Sequence, residues 1–217
     1  RSICEKTGYD EISLCSLSTS DYRGLEKLIT DMLPWTVENK INISLPSLRA
    51  DNFPKELMEQ LNAVRRSGLT FAPEAGTQRL RDVINKNITE EEVLSTARQA
   101  FAGGWTAVKL YFMIGLPTET EDDIRGIADL AQAVVDEFYH NENKPKGKGV
   151  NVSVSVASLV PKPFTPFQWE PQDTQEMVRE KQSHLREKLH IKGVTFNYHE
   201  SDLSYLEACF ARGDRRK

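Results

Sequence analysis

A chain of 217 residues, 39% hydrophobic and 28% charged, is long enough to bury the core of one ordinary domain. Its 28 lysines and arginines against 32 acids leave a net charge of −4, which gives no global attraction for a nucleic-acid polyanion, and the basic run 212–217 reads as a solvated tail. No apolar run reaches the roughly 18 residues of a membrane helix, and Cys4, Cys15 and Cys209 show no paired spacing, which points to a reducing cytoplasm rather than a disulfide scaffold.

Residues 11–17 (EISLCSL) alternate polar and apolar and read as a strand. Ser20 or Asp21 can cap the helix that follows, and Pro34 predicts its end. Residues 40–45 (KINISL) form a second strand. Pro54 opens, and Gly68 closes, a helix over KELMEQLNAVRR. A short third strand covers 69–72 and a short helix 76–85. Thr89 with Glu92 makes a capping box for a helix to Ala102, closed by Gly103 and Gly104. Residues 105–114 are the fourth strand. Thr120 and Asp123 make a second capping box, opening a long helix to about His140. After a polar loop (NENKPKGKG), 150–158 read as a fifth strand. A proline-rich loop, PKPFTPFQWEP, precedes a helix over 173–189. Residues 194–199 form a sixth strand and 202–211 a last helix.

Strand alternating with helix predicts an α/β fold with a parallel sheet and right-handed crossovers. A doubly wound sheet and a β/α barrel both satisfy the pattern. No GxGxxG or GxxxxGK[ST] is present. The expectation is therefore an incomplete TIM-type β/α barrel, whose chemistry lies at the carboxyl ends of the strands. Residues 18–22, 46–49, 73–76, 115–119 and 159–163 stand there. Singly they read as a helix cap, a surface ion pair at Arg49, a first-turn acid at Glu74 and a tight turn at Gly115. Together they form one polar rim without a metal-spaced His/Asp/Glu cluster or a Ser-His-Asp set, suited to holding a polar small molecule.

The stretch IGLPTETEDDI resembles the GxPgET turn after the fifth strand of radical S-adenosylmethionine enzymes. PEAGTQRLRDVINKNIT is similar to the segment that tRNA methylthiotransferases write as Q-S-G-S-x-x-x-L-x-x-M-x-R-x-x-T, with Glu74 at the Gln, Lys86 at the Arg and Thr89 at the Thr. TGYDEISLCSLSTSDY resembles the second strand and its cofactor loop. SLVPKPFTPFQWEP and the terminal RGDRR resemble a poorly characterised bacterial subgroup whose members often carry a cobalamin-binding-like domain. Four motifs fall in order at four successive strand ends.

The resemblance implies an Fe–S oxidoreductase. A 4Fe-4S cluster held by CxxxCxxC would bind S-adenosylmethionine and release a 5′-deoxyadenosyl radical, leaving the protein to bind, orient and shield. Ser18, Thr19 and Ser20 would lie near the methionine amino group. Glu74 would accept from the ribose hydroxyls and Lys86 would face the methionine carboxylate, as a point charge where relatives place an arginine fork. Ile114, Gly115 and Val160 would meet the adenine. On position, Arg49, Lys109 and Lys162, with Phe164, Phe167 and Trp169, are set to meet a substrate of unknown class. Residues 1–200 would be the partial barrel from its second strand onward, and 201–217 a C-terminal helix and basic tail.

This sequence contains no CxxxCxxC. With the start at Arg1, that reads as a fragment lacking the first strand and the cluster loop. Taken alone, such a fragment is expected to bind no cluster and cleave no S-adenosylmethionine, with cobalamin possible only in a longer protein. Strand 11–17 would then present an unpaired edge, inviting a strand pair between two copies, since residues 1–6 are short for a stable covering helix. Two other readings remain: a β/α-barrel lyase using Lys109 as a Schiff base, and a non-catalytic module binding through PKPFTPFQW.

Overall fold

The structure, a computed structural model, describes residues 1–14, 22–44, 69–142, 144 and 147–214. Its described strands are all parallel. β1 (Glu11–Ser13) pairs with β2 (Asn42–Ser44), and β3 (Leu69–Glu74), β4 (Ala107–Ile114), β5 (Asn151–Ser158) and β6 (Val194–Tyr198) form a four-stranded sheet in chain order. The helices are α1 (Ser2–Thr7), α2 (Leu25–Glu38), α3 (Gln78–Val83), α4 (Glu90–Ala102), α5 (Glu121–His140), α6 (Gln175–Lys188) and α7 (Ser201–Arg212). This is the expected parallel α/β arrangement. No described helix is long and apolar enough to cross a membrane.

The alternation along β4 and β5 sorts the larger sheet into two unlike faces. Val108, Leu110, Phe112 and Ile114 of β4 join Val152, Val154 and Val156 of β5 in one apolar core. α4 adds Val93, Ala97 and Phe101, α5 adds Ile127, Leu130, Val134 and Phe138, and α6 adds Val178 and Leu185. Phe101 meets Phe138 edge-on, 5.3 Å between centroids. Arg98 grips Glu137 with a two-pronged contact at 2.8 and 2.7 Å, fastening α4 to α5 outside the core. The opposite face carries Thr70, Lys109, Tyr111, Ser153, Ser155, Thr195 and Asn197, all half-buried or exposed. Parallel sheets ordinarily bury apolar side chains on both faces, so a polar second face marks the open interior of a barrel.

Both capping boxes form as the sequence predicts. The Glu92 N–H donates to Thr89 Oγ1 at 3.2 Å while Glu92 Oε2 accepts from the Thr89 N–H at 2.6 Å. At α5, Asp123 Oδ2 accepts from the Thr120 N–H at 2.8 Å. Elsewhere the structure corrects the expectation. α2 does not end before Pro34 but runs through it to Glu38, and its N-cap is Gly24, with no side-chain cap bond, rather than Ser20 or Asp21. Proline removes one helical hydrogen bond. The stripe Leu25, Ile29 and Leu33, packed with Leu14, holds the helix together across the gap. Residues 2–7 form a helix after all. Arg1 pairs with Glu5 at 2.8 Å, Cys4 is buried, and Gly8 closes the turn at φ 73°. β3 extends to Glu74, two residues beyond the predicted strand, through a register shift between Phe71 and Glu74 that accommodates Pro73. β1 is described only as far as Ser13; the rest of the predicted strand to 17, the predicted helix over 55–66 and the loops 18–21 and 46–49 lie outside the described residues.

The loop after β3 sits backbone-to-backbone on α5. A Cβ at Gly76 would run into the Ile127 N–H and the Asp123 carbonyl; one at Gly126 would lie 2.8 Å from Thr77 Cγ2. At Gly76 the nearest obstacles are main chain; at Gly126 they are that methyl and, farther off at 3.0 Å, the Gly76 main chain. We therefore expect Gly76→Ala to destabilise the full chain by about 1–3 kcal/mol, and by more than Gly126→Ala, in urea unfolding. Equal midpoints for Gly76→Ala and wild type would contradict this packing.

Candidate functional site

The strand ends converge on two turns, after β3 and after β4. β3 ends at Glu74, which adopts φ 68°. A non-glycine residue there is strained, and such strain commonly marks a functional position. Its carboxylate meets Lys86 Nζ at 3.2 Å, with both side chains about 30% exposed (28% and 30%). Twelve residues separate the two in sequence. α3 and its following turn fold the chain back and return Lys86 to the strand end. Thr77 caps α3, accepting from the Leu80 N–H at 3.3 Å.

Arg81, on α3, is wholly buried. It donates to the carbonyls of Ala75 (3.0 Å) and Gly76 (3.3 Å) and to Gln78 Oε1 (3.2 Å), with Glu90 at 3.8 Å. Burial pulls its pKa below the usual arginine value, yet a guanidinium stays charged at that level. Its donors satisfy loop carbonyls that the strand end leaves unpaired, and so shape the turn carrying Glu74. Reasoning from sequence missed this residue. The available signal was a charge at the Leu position of the Q-S-G-S-x-x-x-L pattern.

The turn after β4 has a different anchor. The Gly115 N–H donates to both Glu119 oxygens at 3.0 Å. Glu119, with 3% of its side chain exposed, also holds Lys181 Nζ at 2.6 Å, and Lys181 holds Asp173 at 2.6 Å. Burial pushes the Glu119 carboxyl above its ordinary value, opposed by Lys181 and by the Gly115 and Leu116 N–H groups. Burial acts downward on the Lys181 ammonium, but its bonds to Asp173 and Glu119 outweigh that and leave it raised. Gly115 has φ 79°, and a Cβ there would lie 2.9 Å from Asp173 Oδ2, so both conformation and space call for glycine. A ligand approaching Gly115 would therefore find its N–H already engaged. The Ile114 carbonyl is also taken, by the Leu159 N–H at 2.8 Å.

Asp123 joins the two turns. It is 2% exposed and accepts from Thr77 Oγ1, Thr120 Oγ1 (2.7 Å), the Thr120 N–H (2.8 Å) and Arg79 Nη2. Arg79 also donates to Thr118 Oγ1 (3.2 Å) and the Thr118 carbonyl (2.9 Å). Thr118 stands at φ 64°, where the GxPgET pattern has glycine; the Arg79 contacts hold it in that strained turn.

The remaining sequence-predicted residues are placed unevenly. Val160 is half-buried beside buried Pro161, just after β5. Lys162 is exposed and paired with Glu207 of α7 at 2.5 Å. Lys109 lies 4.6 Å over the Tyr111 ring. No described carboxylate forms an ion pair with it. Phe164 and Trp169 are strongly exposed. Ser18, Thr19, Ser20 and Arg49 lie outside the described residues. Among the described residues no three His, Cys, Asp or Glu side chains are grouped to hold a metal, and Cys4 and Cys209 stand on separate helices.

Asp123 gives a test by pH. Burial alone would raise its pKa, but the bonds from Thr77, Thr120 and Arg79 prevail and hold it at about 2 rather than 3.8. A folded pKa below the unfolded one gives stability that is complete above about pH 4 and lost as pH falls towards 2. We expect Asp123→Asn to cost about 2 kcal/mol near neutrality and to flatten the stability profile between about pH 4 and 2. Parallel acid profiles for variant and wild type would contradict this.

A model of the radical SAM superfamily matches residues 2–131. Uncharacterized protein MJ0966 of Methanocaldococcus jannaschii is 32% identical over 205 residues, which cover 94% of this chain and 42% of that protein. Among solved structures, the archaeal Methanocaldococcus infernus Elp3 with its N-terminal residues 1–46 deleted superposes over 98% of this chain and 58% of its own, with a TM-score of 0.60 at 13% identity, a likeness of fold. The chain thus spans well under two thirds of either relative. With the family match covering more than half of the chain, and the parallel partial barrel independently in place, this chain belongs to the radical SAM superfamily.

Proposed function

We propose that this chain is the S-adenosylmethionine-holding part of a radical SAM Fe–S oxidoreductase working in a reducing cytoplasm. The observation that carries the reading is the Glu74–Lys86 pair at the carboxyl end of β3. S-adenosylmethionine presents a ribose diol and an amino-acid carboxylate, which call for an acceptor and a cation respectively. A carboxylate offers two acceptor oxygens, and its hydrogen bonds are charge-assisted. A lysine offers three donors. Before the ligand binds, each side chain keeps the other in place, so little side-chain freedom remains to be lost. The turns behind them are braced by Arg81 and by Glu119.

In this family the cofactor and a 4Fe-4S cluster together supply a 5′-deoxyadenosyl radical. The described residues do not fit the cluster, since Cys4 and Cys209 stand on different helices and no group of three ligands exists; no step through the cluster is assigned to this chain. Alone, the chain would neither hold a cluster nor cleave the cofactor. Cobalamin has no support in these residues, and no part of the proposal uses it. The chain's own tasks are to bind the cofactor's ribose and carboxylate, to fix its orientation through rigid turns, and to line the space beneath it with a polar sheet face.

Glu74→Ala should weaken S-adenosylmethionine binding by about 1–3 kcal/mol, the cost of a lost charge-assisted hydrogen bond. Lys86→Ala should weaken it comparably, and Lys86→Arg should restore it. Calorimetric titration of the full-length, cluster-reconstituted protein measures each. Affinity unchanged in Glu74→Ala would refute the assignment.

A further inference from the structure

Among the described residues, every buried or half-buried lysine or arginine has a carboxylate partner, with one exception. Arg81 has Glu90, Lys86 has Glu74, and Lys181 has Glu119 and Asp173. Lys109, half-buried near the start of the central strand β4, has only the Tyr111 ring, 4.6 Å from its ammonium. A cation–ring contact of this kind leaves the charge unneutralised. Half-buried lysines are ordinarily paired with a carboxylate.

The surroundings of Lys109 are built from hydroxyls. In the sheet register Lys109 stands beside Thr70 of β3 and Ser153 of β5, and Ser153 stands beside Thr195 of β6. The next row on the same face sets Tyr111 beside Ser155, and Ser155 beside Asn197, with Asn197 Nδ2 donating to Ser153 Oγ at 3.2 Å. A lysine without a carboxylate partner among the described residues, set among hydroxyls and an amide on the face a parallel sheet would otherwise fill with aliphatic side chains, suits an anion better than a core.

We propose that Lys109 binds an anionic group of the substrate, a carboxylate or a phosphoryl ester, with the Thr70 and Ser153 hydroxyls beside it. This rests on the reading that the polar face is the substrate space beneath the cofactor. Lys109 lies five positions before Ile114, and at about 3.3 Å per residue the anion sits well below the rim where Glu74 and Lys86 stand. The group recognised is therefore the far end of an extended substrate, remote from the carbon that reacts, and distinct from the cofactor carboxylate assigned to Lys86.

The test uses the full-length protein without cluster or cofactor, and two probe anions, inorganic phosphate and succinate, against chloride at equal ionic strength. Lysines are acetylated with a water-soluble reagent and quantified by mass spectrometry. Phosphate or succinate should slow modification of Lys109 several-fold and leave exposed Lys148 and Lys192 unchanged. Protection by one probe alone names the anion class. In calorimetry, Lys109→Met should lose millimolar binding of the same probe at least about tenfold, while Lys109→Arg keeps it. Lys109 modified equally in all three salts, or Lys109→Met binding as wild type does, would overturn the proposal. Because neither cluster nor cofactor is present here, a failed S-adenosylmethionine titration on the separate, cluster-reconstituted protein would count against the proposed function and not against this site.

Discussion

The Asp123 carboxylate, buried at the start of α5, ties the turn after β3 to the turn after β4. From one side Thr77 reaches it, carrying the turn after β3; from its own turn Thr120 reaches it; and Arg79 joins both, fixing Thr118 as well. With this many donors the carboxylate stays charged until the pH falls towards about 2. The glycines at 76 and 126 exist for the same contact. Only without a Cβ can the loop reach α5 closely enough for Thr77 to touch Asp123.

A second brace repeats this logic further along. Glu119 holds the Gly115 N–H, and through Lys181 and Asp173 ties the turn after β4 to α6. Buried ion pairs add little stability on balance, but breaking one partner away is costly, so they act chiefly to specify geometry. Both turns are thereby fixed by side-chain contacts within the chain. Beside these braced turns stand Glu74, at φ 68°, and its partner Lys86, 3.2 Å away.

Much of this fold is legible in the sequence where local chemistry has only one reading. The Thr89–Glu92 and Thr120–Asp123 boxes fix two helix starts, and the alternation of VKLYFMI and VNVSVSVA fixes two strands and their buried faces. Pro34 misleads because a local breaker is overruled by packing of Leu25 and Ile29. Residues 2–7 mislead because isolated-helix stability says nothing of a helix that buries Cys4 and ends on Gly8. Within the site, Glu74 and Lys86 are visible only through their spacing in a family pattern. Nothing in the spacing of Glu119 and Lys181, 62 residues apart, announces that they meet. The role of Asp123 beyond its capping box depends likewise on the distant Thr77 and Arg79, which no local pattern links to it.

The central claim is that the turns at the strand ends are rigid before any ligand arrives. Amide hydrogen exchange on the full-length protein without cofactor tests it most directly. The account predicts that the Gly115 amide, bonded to Glu119, and the Leu80 and Arg81 amides of α3 exchange as slowly as the interior amides of β4, because opening them requires breaking the buried braces. Exchange of these amides at rates typical of exposed loops, with β4 still protected, would contradict it.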